Sequence, residues 1–470
     1  MNGKLLDLKA SELLAKFGEG KPVPGSGSAA AYQGMLAVQL IATVTKLTKD
    51  PKRQKNYSHF LHQLLEIENQ LELRILPKLE HLFQEDSDQF GEVIRLRELR
   101  NATSDSDPIA SQRTEGEMLE VLKEATQTVT EIGTLCSEVA SFACEVFDHG
   151  FNSARGDSSV AINAAISGIA GCIAIIDLNL LSFSNGQYLN QIRQSQNALR
   201  SKLEALQSEA KRRLDEQMTE LDSHIHFSQE LERIGRSVKG RKSISDEQIE
   251  LLAIDLQRLI WKNRDLVWKN NPPQSPLKML DASKALKCFG FAVTRPVTLG
   301  NFSDRGVEYE VAGQIDQRNR VVSVSKQFPD DVRKFTEAHE LGHCLLHTQE
   351  LLHRDRPLDG TAGRLVENVV ERQANKFAVY FLMPRKLVLQ KFQQIFGISS
   401  FRINHETALA LNMKSADELY AATRSLRGLS RLLSNVTRYR SRQVHSLTEL
   451  FGVSSETMAI RLEELGIVEF

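Results

Sequence analysis

The sequence predicts a multidomain, mainly α protein: an all-α helical bundle, then an α+β region with a small β-sheet, then a helical C-terminal lobe. Three observations support this. The chain has 470 residues, more than one hydrophobic core usually serves. Up to about residue 190, apolar residues recur at three and four, as in "YSHFLHQLLEIENQLELRILPKLEHLF", with little alternation. After the proline-rich run "KNNPPQSPLKML" the pattern changes to period two. The borders are therefore drawn at 1–210 for a helical domain and 211–275 for a helical stalk and linker. An α+β domain follows at 276–395, then a lobe at 396–470 with a helix-turn-helix-like end.

Composition narrows the partners. Lys and Arg number 59 against 60 Asp and Glu, so the net charge of −1 argues against a polyanion or membrane surface. The five cysteines (Cys136, Cys144, Cys172, Cys288, Cys344) have no paired spacing, which fits a reducing compartment. The first twenty residues carry charges throughout and lack an apolar stretch of signal type. A cytoplasmic location is expected. Residues 22–45 and 158–176 are uncharged and near spanning length. They are rich in Ala, Gly and Ser and contain Gln33, Gln39 and Asn163, which suits a bundle centre or subunit interface better than lipid.

From Ile192 onward, Leu199, Leu203, Leu206, Ala210, Leu214, Met218, Leu221 and Ile225 form a near-heptad stripe. Either this helix packs on its own bundle or it is a stalk or dimerisation helix. Next, "FAVTRPV", "VEYEVAGQID" and "VVSVS" read as three strands, with a turn at "QRNR". After Met383 the pattern is helical again. "SLTELFGVSSETMAIRLEELGIV" reads as helix, glycine turn, helix, with Leu450, Val453, Met458 and Leu462 as a small core. Between 421 and 446 there are six arginines (Arg424, Arg427, Arg431, Arg438, Arg440, Arg442) and no acid. They form either a solvated face or a nucleic-acid contact; the first is preferred, and no nucleic-acid partner is expected.

The segment "FTEAHELGHCLLH" carries the clearest chemistry. Residues four apart share a helix face, so His339 and His343 can hold one zinc ion. Glu340 can reach a water on that ion, whose pKa zinc lowers to about 7. Gly342 lets a neighbouring backbone approach, and Asp330 and Asp331 after Pro329 mark the helix start. A catalytic zinc needs a third protein ligand. His347 lies about 80° round from His339 and suits packing or orientation. A carboxylate on a second, crossing helix fits better. In "LVENVVERQANKFAVYFLMP", Glu371 shares a face with Asn375 and Ala378, and Glu367 lies one turn earlier.

"RKFTEAHELGHCLLH" followed by "ERQANKFAVYFLMP" resembles the ImmA/IrrE family of metallopeptidases over about 276–384. The resemblance implies a zincin-like α+β domain with Zn2+ on His339, His343 and Glu371, and Glu340 as general base. It also implies a protein substrate, often a transcriptional repressor in stress responses. The F-G-V-S-x-x-x-M-x-x-R-L end is similar to ends found in that family.

In "PVPGSGSAAAYQGMLAVQL", Gly25 and Gly27 permit a tight turn, and Ser26 or Ser28 can cap the helix that follows. Its first amides can hold an anion, or the turn simply lets two helices pack. The stretch resembles the start of the formiminotransferase-cyclodeaminase C-terminal family, P-x-P-G-G-G-S-x-A-A. "QEDSDQFGEVI", "ARGDSSVA" and "IIDLNL" are similar to further family segments. The resemblance implies an all-α homodimer binding a tetrahydrofolate derivative near Pro24, Gly25, Ser26, Gly27, Ser28, Asp86 and Asp157. Ser26 replaces the middle glycine, Lys46 stands in the family's N-L-T, and a proline usual before the fourth helix is missing. Ligand sensing and folate turnover both stay open.

The function expected is thus a zinc endopeptidase regulated by a ligand-binding first domain. The alternatives are a folate cyclohydrolase or cyclodeaminase with an accessory peptidase, and a DNA-binding regulator using the Arg-rich lobe.

Overall fold

The computed structural model describes residues 4–104, 106–241, 243–269, 271–304, 307–348, 353–355 and 369–470. The chain divides into two compact units, Met1–Thr219 and Glu220–Phe470. It is multidomain and mainly α, as the periodicity predicts.

The first unit holds α1 (Ala10–Phe17), α2 (Ser26–Thr48), α3 (Leu61–Gln70), α4 (Leu76–Thr103), α5 (Pro108–His149) and α6 (Arg155–Leu180). It also holds the part of α7 (Gly186–Ser237) up to residue 219. α5 starts where Asp107 accepts from the Ala110 amide and Pro108 takes the first helical position. Ile41, Leu79, Ile132, Ala165 and Ile169 are fully buried between the helices. Small residues let α2 and α6 approach closely: a Cβ on Gly168 would stand 3.1 Å from the Ala30 carbonyl oxygen. This accounts for the two uncharged stretches, which line the bundle centre. By length and composition α6, with the turn before it (Asn152–Leu180), could cross a membrane; half of its apolar window is buried.

The near-heptad stripe on α7 has two environments. Leu199 and Leu206 are buried in the first core, with Leu203 and Ala210 beside them. Leu214, Met218, Leu221 and Ile225 are all exposed. The early part packs on its own bundle; the later part does not.

The second unit begins with the end of α7, followed by α8 (Asp246–Lys262), α9 (Arg264–Trp268) and α10 (Ala282–Cys288). Then come β1 (Ala292–Thr294), a hairpin of β2 (Asn301–Asp304) and β3 (Val307–Glu310), β4 (Gly313–Asp316) and β5 (Val321–Val324). α11 (Asp330–Leu346), β6 (His353–Asp355) and α12 (Val369–Leu382) complete the middle of the unit. The main sheet has the order β1-β5-β4-β6; β1 runs parallel to β5 and the other pairs are antiparallel. The stretch 307–316 reads as one strand from its alternation, but it divides between two sheets. β3 pairs with β2, and β4 begins at Gly313, where there is no side chain to collide with α11.

The remaining elements are α13 (Arg385–Phe396), β7 (Phe401–Arg402), α14 (His405–Ala410), α15 (Ala416–Thr423) and α16 (Leu426–Ser434). They are followed by the hairpin β8 (Arg438–Tyr439) and β9 (Arg442–Gln443), α17 (Leu447–Phe451), α18 (Ser455–Glu464) and β10 (Val468–Glu469). Gly452 ends α17 at φ 62°, the glycine turn the sequence anticipates. Arg427 donates to Glu463 at 2.7 and 2.8 Å and also to Glu456, and Arg440 donates to Glu406 at 2.7 Å. Arg427, Arg431 and Arg440 of the Arg-rich stretch thus find acids elsewhere in the chain.

The border expected near residue 276 is drawn differently by the structure. The sequence places α8 in the stalk and linker, yet its Ile249, Leu252, Ala253, Leu256 and Ile260 are buried in the same core as Leu341 and Phe377. The cause is an amphipathic helix with a capping box, Ser245 and Gln248, that buries one face. Gln257 locks it by donating to the carbonyls of Tyr380 and Phe381 at 3.0 and 2.8 Å. The five cysteines are free, and burial pushes the thiols of Cys136 and Cys344 up to about 12 each.

Candidate metal centre

α11 starts after Pro329 with Asp330 and Asp331 in its first turn, and every residue from Phe335 to Leu346 is buried. Two glycines allow this. A Cβ on Gly342 would stand 3.0 Å from Ala374 Cα, so α12 crosses α11 at backbone distance. A Cβ on Gly313 would stand 2.2 Å from Thr336 Cγ2 and 3.0 Å from Glu340 Oε1, so β4 lies against the other side. Glu340 is therefore enclosed between β4 and the histidine face, with no exposed surface.

Three side chains converge. His339 Nε2 and His343 Nε2 are 2.9 Å apart. Glu371 Oε2 lies 3.2 Å from the first, and Glu371 Oε1 lies 3.5 Å from the second. Both histidines are fully buried and Glu371 is half-buried. His339 Nδ1 is 2.8 Å from Asn375 Oδ1. An amide oxygen only accepts, so the His339 proton sits on Nδ1 and its Nε2 lone pair faces the cluster. Asn375 stands one turn after Glu371, on the face the sequence assigns to both. His347 faces away from Glu371: its Nδ1 is 3.0 Å from His343 Nδ1 and its Nε2 is 3.1 Å from Gln373 Oε1. Glu367 lies outside the described residues.

In the first unit, Gly25 is the N-cap of α2, so neither Ser26 nor Ser28 caps that helix. Ser28 turns inward instead, and its Oγ donates to Asp86 Oδ2 at 2.8 Å. Gly27 makes room, since a Cβ there would stand 2.0 Å from Asp86 Oδ1. Asp86 is buried on α4, and desolvation raises its carboxyl pKa against the Ser28 hydroxyl and amide, which lower it. Pro24 is buried and Ser26 exposed. Asp157 is not brought to this group. It lies in the first turn of α6, beside the far end of α2, where the Phe151 amide donates to Thr48 Oγ1 at 3.0 Å. Ser28 and Thr48 are separated by about 30 Å of helix.

Comparison with known proteins agrees with the two halves. Residues 9–198 match the family model described as formiminotransferase-cyclodeaminase, and residues 294–400 match the one described as IrrE N-terminal-like domain. The chain is thus similar to one family over its first part and to the other over its second. Its IrrE-like part is similar to the radiation response metalloprotease IrrE of Deinococcus radiodurans, with 29% identity over 111 residues. That match covers 24% of this chain, and the chain spans 33% of that relative's length. The cyclodeaminase-like part is similar to a solved formiminotetrahydrofolate cyclodeaminase of Thermotoga maritima, with 19% identity and a TM-score of 0.39. This covers 46% of the chain and 99% of that structure. The His339, His343 and Glu371 cluster falls within the IrrE-like match.

Proposed function

We propose that the IrrE-like part is a zinc-dependent metallo-endopeptidase, with His339, His343 and Glu371 as ligands and Glu340 as general base. The observation that carries this is the convergence of two imidazole Nε2 atoms and one carboxylate. A tetrahedral zinc with bonds of about 2.0–2.1 Å would set its donors about 3.3 Å apart. The separations here, 2.9, 3.2 and 3.5 Å, bracket that value. Zinc, when bound, supplies the Lewis acidity that makes water nucleophilic at neutral pH. Glu340 takes the water's proton and returns it to the leaving amine. The substrate class is protein, a transcriptional repressor being the example the resemblance suggests. Glu340→Gln should retain about one zinc per chain while proteolysis falls by about 10²–10⁴-fold. Metal analysis beside a peptide-cleavage assay checks this; a variant that still cleaves would remove Glu340 from the mechanism.

The cyclodeaminase-like part is read as a homodimerising module that binds a tetrahydrofolate derivative near Ser28 and Asp86 and regulates the peptidase in the cytoplasm. Turnover of the folate is the second reading, favoured by Asp86, because a buried carboxyl with a raised pKa is suited to proton transfer. Full-length Glu340→Gln protein, titrated with methenyl-tetrahydrofolate, separates the two. Heat of binding with steady absorbance supports sensing, falling absorbance supports turnover, and neither removes the folate reading.

A further inference from the structure

We propose that His347 and Gln373 form a proton-ordered relay that positions the metal-facing nitrogen of His343. We further propose that the relay is anchored by the stretch of chain leaving α7. The proposal rests on the metal reading above and goes beyond it, because neither His347 nor Gln373 belongs to the converging cluster.

The order of protons follows from the outer end. Gln373 Nε2 donates to the Ile244 carbonyl at 3.4 Å, which turns Gln373 Oε1 toward His347 Nε2 at 3.1 Å. An amide oxygen only accepts, so His347 carries its proton on Nε2. In the neutral ring its Nδ1 is then an acceptor. The partner of that atom is His343 Nδ1 at 3.0 Å, which must donate. His343 is left with a lone pair on Nε2, the atom that faces Glu371 and His339. Asn375 sets the same state on His339 from the other side. All three relay side chains are buried: His343 at 0%, His347 and Gln373 each at 7% exposure. A hydrogen bond to the outer nitrogen of a ligating histidine fixes both its tautomer and its ring angle.

The same stretch of chain holds the end of α11. Lys239 Nζ donates to the Cys344 carbonyl at 2.8 Å and to Gln317 Oε1 at 3.0 Å. Gln317 Nε2 then donates to the carbonyls of His343 and His347 at 3.3 and 3.2 Å. The Gly240 amide donates to the Leu346 carbonyl at 3.3 Å. Carbonyls in the last turn of a helix lack intrahelical partners; here Lys239 and Gly240 supply them to Cys344 and Leu346, and the His343 carbonyl accepts from Gln317 as well as from the His347 amide. Ile244 orients Gln373 from the same stretch. A shift of this stretch would disturb both the backbone and the side-chain support of one ligand.

The test is zinc affinity of the full chain, measured by competition with a chromophoric chelator. Gln373→Leu and His347→Phe should bind zinc about 10–100-fold more weakly than wild type. Gln373→Glu, which keeps an acceptor toward His347 but gives up the donation to the Ile244 carbonyl, should recover only part of that loss, an intermediate affinity that loss of packing would not show. Histidine-labelled ¹⁵N NMR of the zinc-loaded wild type should find His343 protonated on Nδ1 and His347 on Nε2, and this reading stands if a variant fails to fold. Equal affinity in the Leu and Phe variants, or a proton on His347 Nδ1, overturns the relay and leaves the metal centre intact. Wild type that takes up no zinc overturns both.

Discussion

Two residues without side chains decide where the reactive ones stand. Gly313 and Gly342 let a strand and a helix press on opposite sides of α11, which encloses Glu340 and both histidines. In the first unit Gly27 does the same for Asp86. That carboxyl carries a stability signature. Burial raises its folded-state pKa above the ordinary 3.8, so its contribution to stability is present below pH 3.8 and is lost as pH rises through the folded value. Asp86→Asn, which cannot ionise and keeps an acceptor for Ser28, should therefore be more stable than wild type at pH 7. The gain should fade as pH falls toward 3.8. Melting temperatures across that range check it, and equal melting at pH 7 would mean the ionised form is compensated. An acid retained against such a penalty fits a functional site.

At the level of the element, α6 has an outer face with a distinct pattern. Val160, Asn163, Ser167, Ala170, Ala174, Leu178 and Leu181 follow one another at three and four, and all are exposed and uncharged. Its opposite face is buried against α2 and α5. The homodimer proposed above has its natural seam here, since small residues let two helices approach. Ala170→Glu places a charge in that seam and should shift sedimentation from two chains to one, with circular dichroism unchanged. A monomeric wild type would move the seam elsewhere or abolish it. The end of α7, by contrast, is committed inward: Phe227, Leu231 and Ile234 are buried in the second core.

For the whole molecule, the division at Thr219 and Glu220 predicts which pieces fold. Fragment 220–470 should fold cooperatively and hold about one zinc. Fragment 276–470 lacks Phe227, Leu231, Ile234, Leu252, Leu256 and Ile260, all within the core that also buries Leu341 and Phe377. Losing several such side chains at about 2–5 kcal/mol each exceeds the stability of an ordinary domain. Fragment 276–470 should aggregate or remain molten, as urea melts and ANS fluorescence would report; a cooperative melt would restore the border near 276.

Whatever depends on short spacing could be read directly from the order of residues. Two histidines four apart share a face because of helical pitch, Asp330 and Asp331 suit a helix N-terminus, Gly452 suits a left-handed turn, and apolar periods of three and four mark the helices. Glu371 was legible because it sits on an amphipathic helix soon after the motif. The rest was settled by packing. Asp157 stands at the far end of α2 from Asp86, Ser28 turns inward rather than capping, and α8 joins the core beyond the proline-rich run. The relay from Ile244 through Gln373 and His347 to His343 joins residues up to 129 apart in the chain. Such contacts exist only once packing returns distant segments to one place, and no local pattern of residues encodes which partner will be met there.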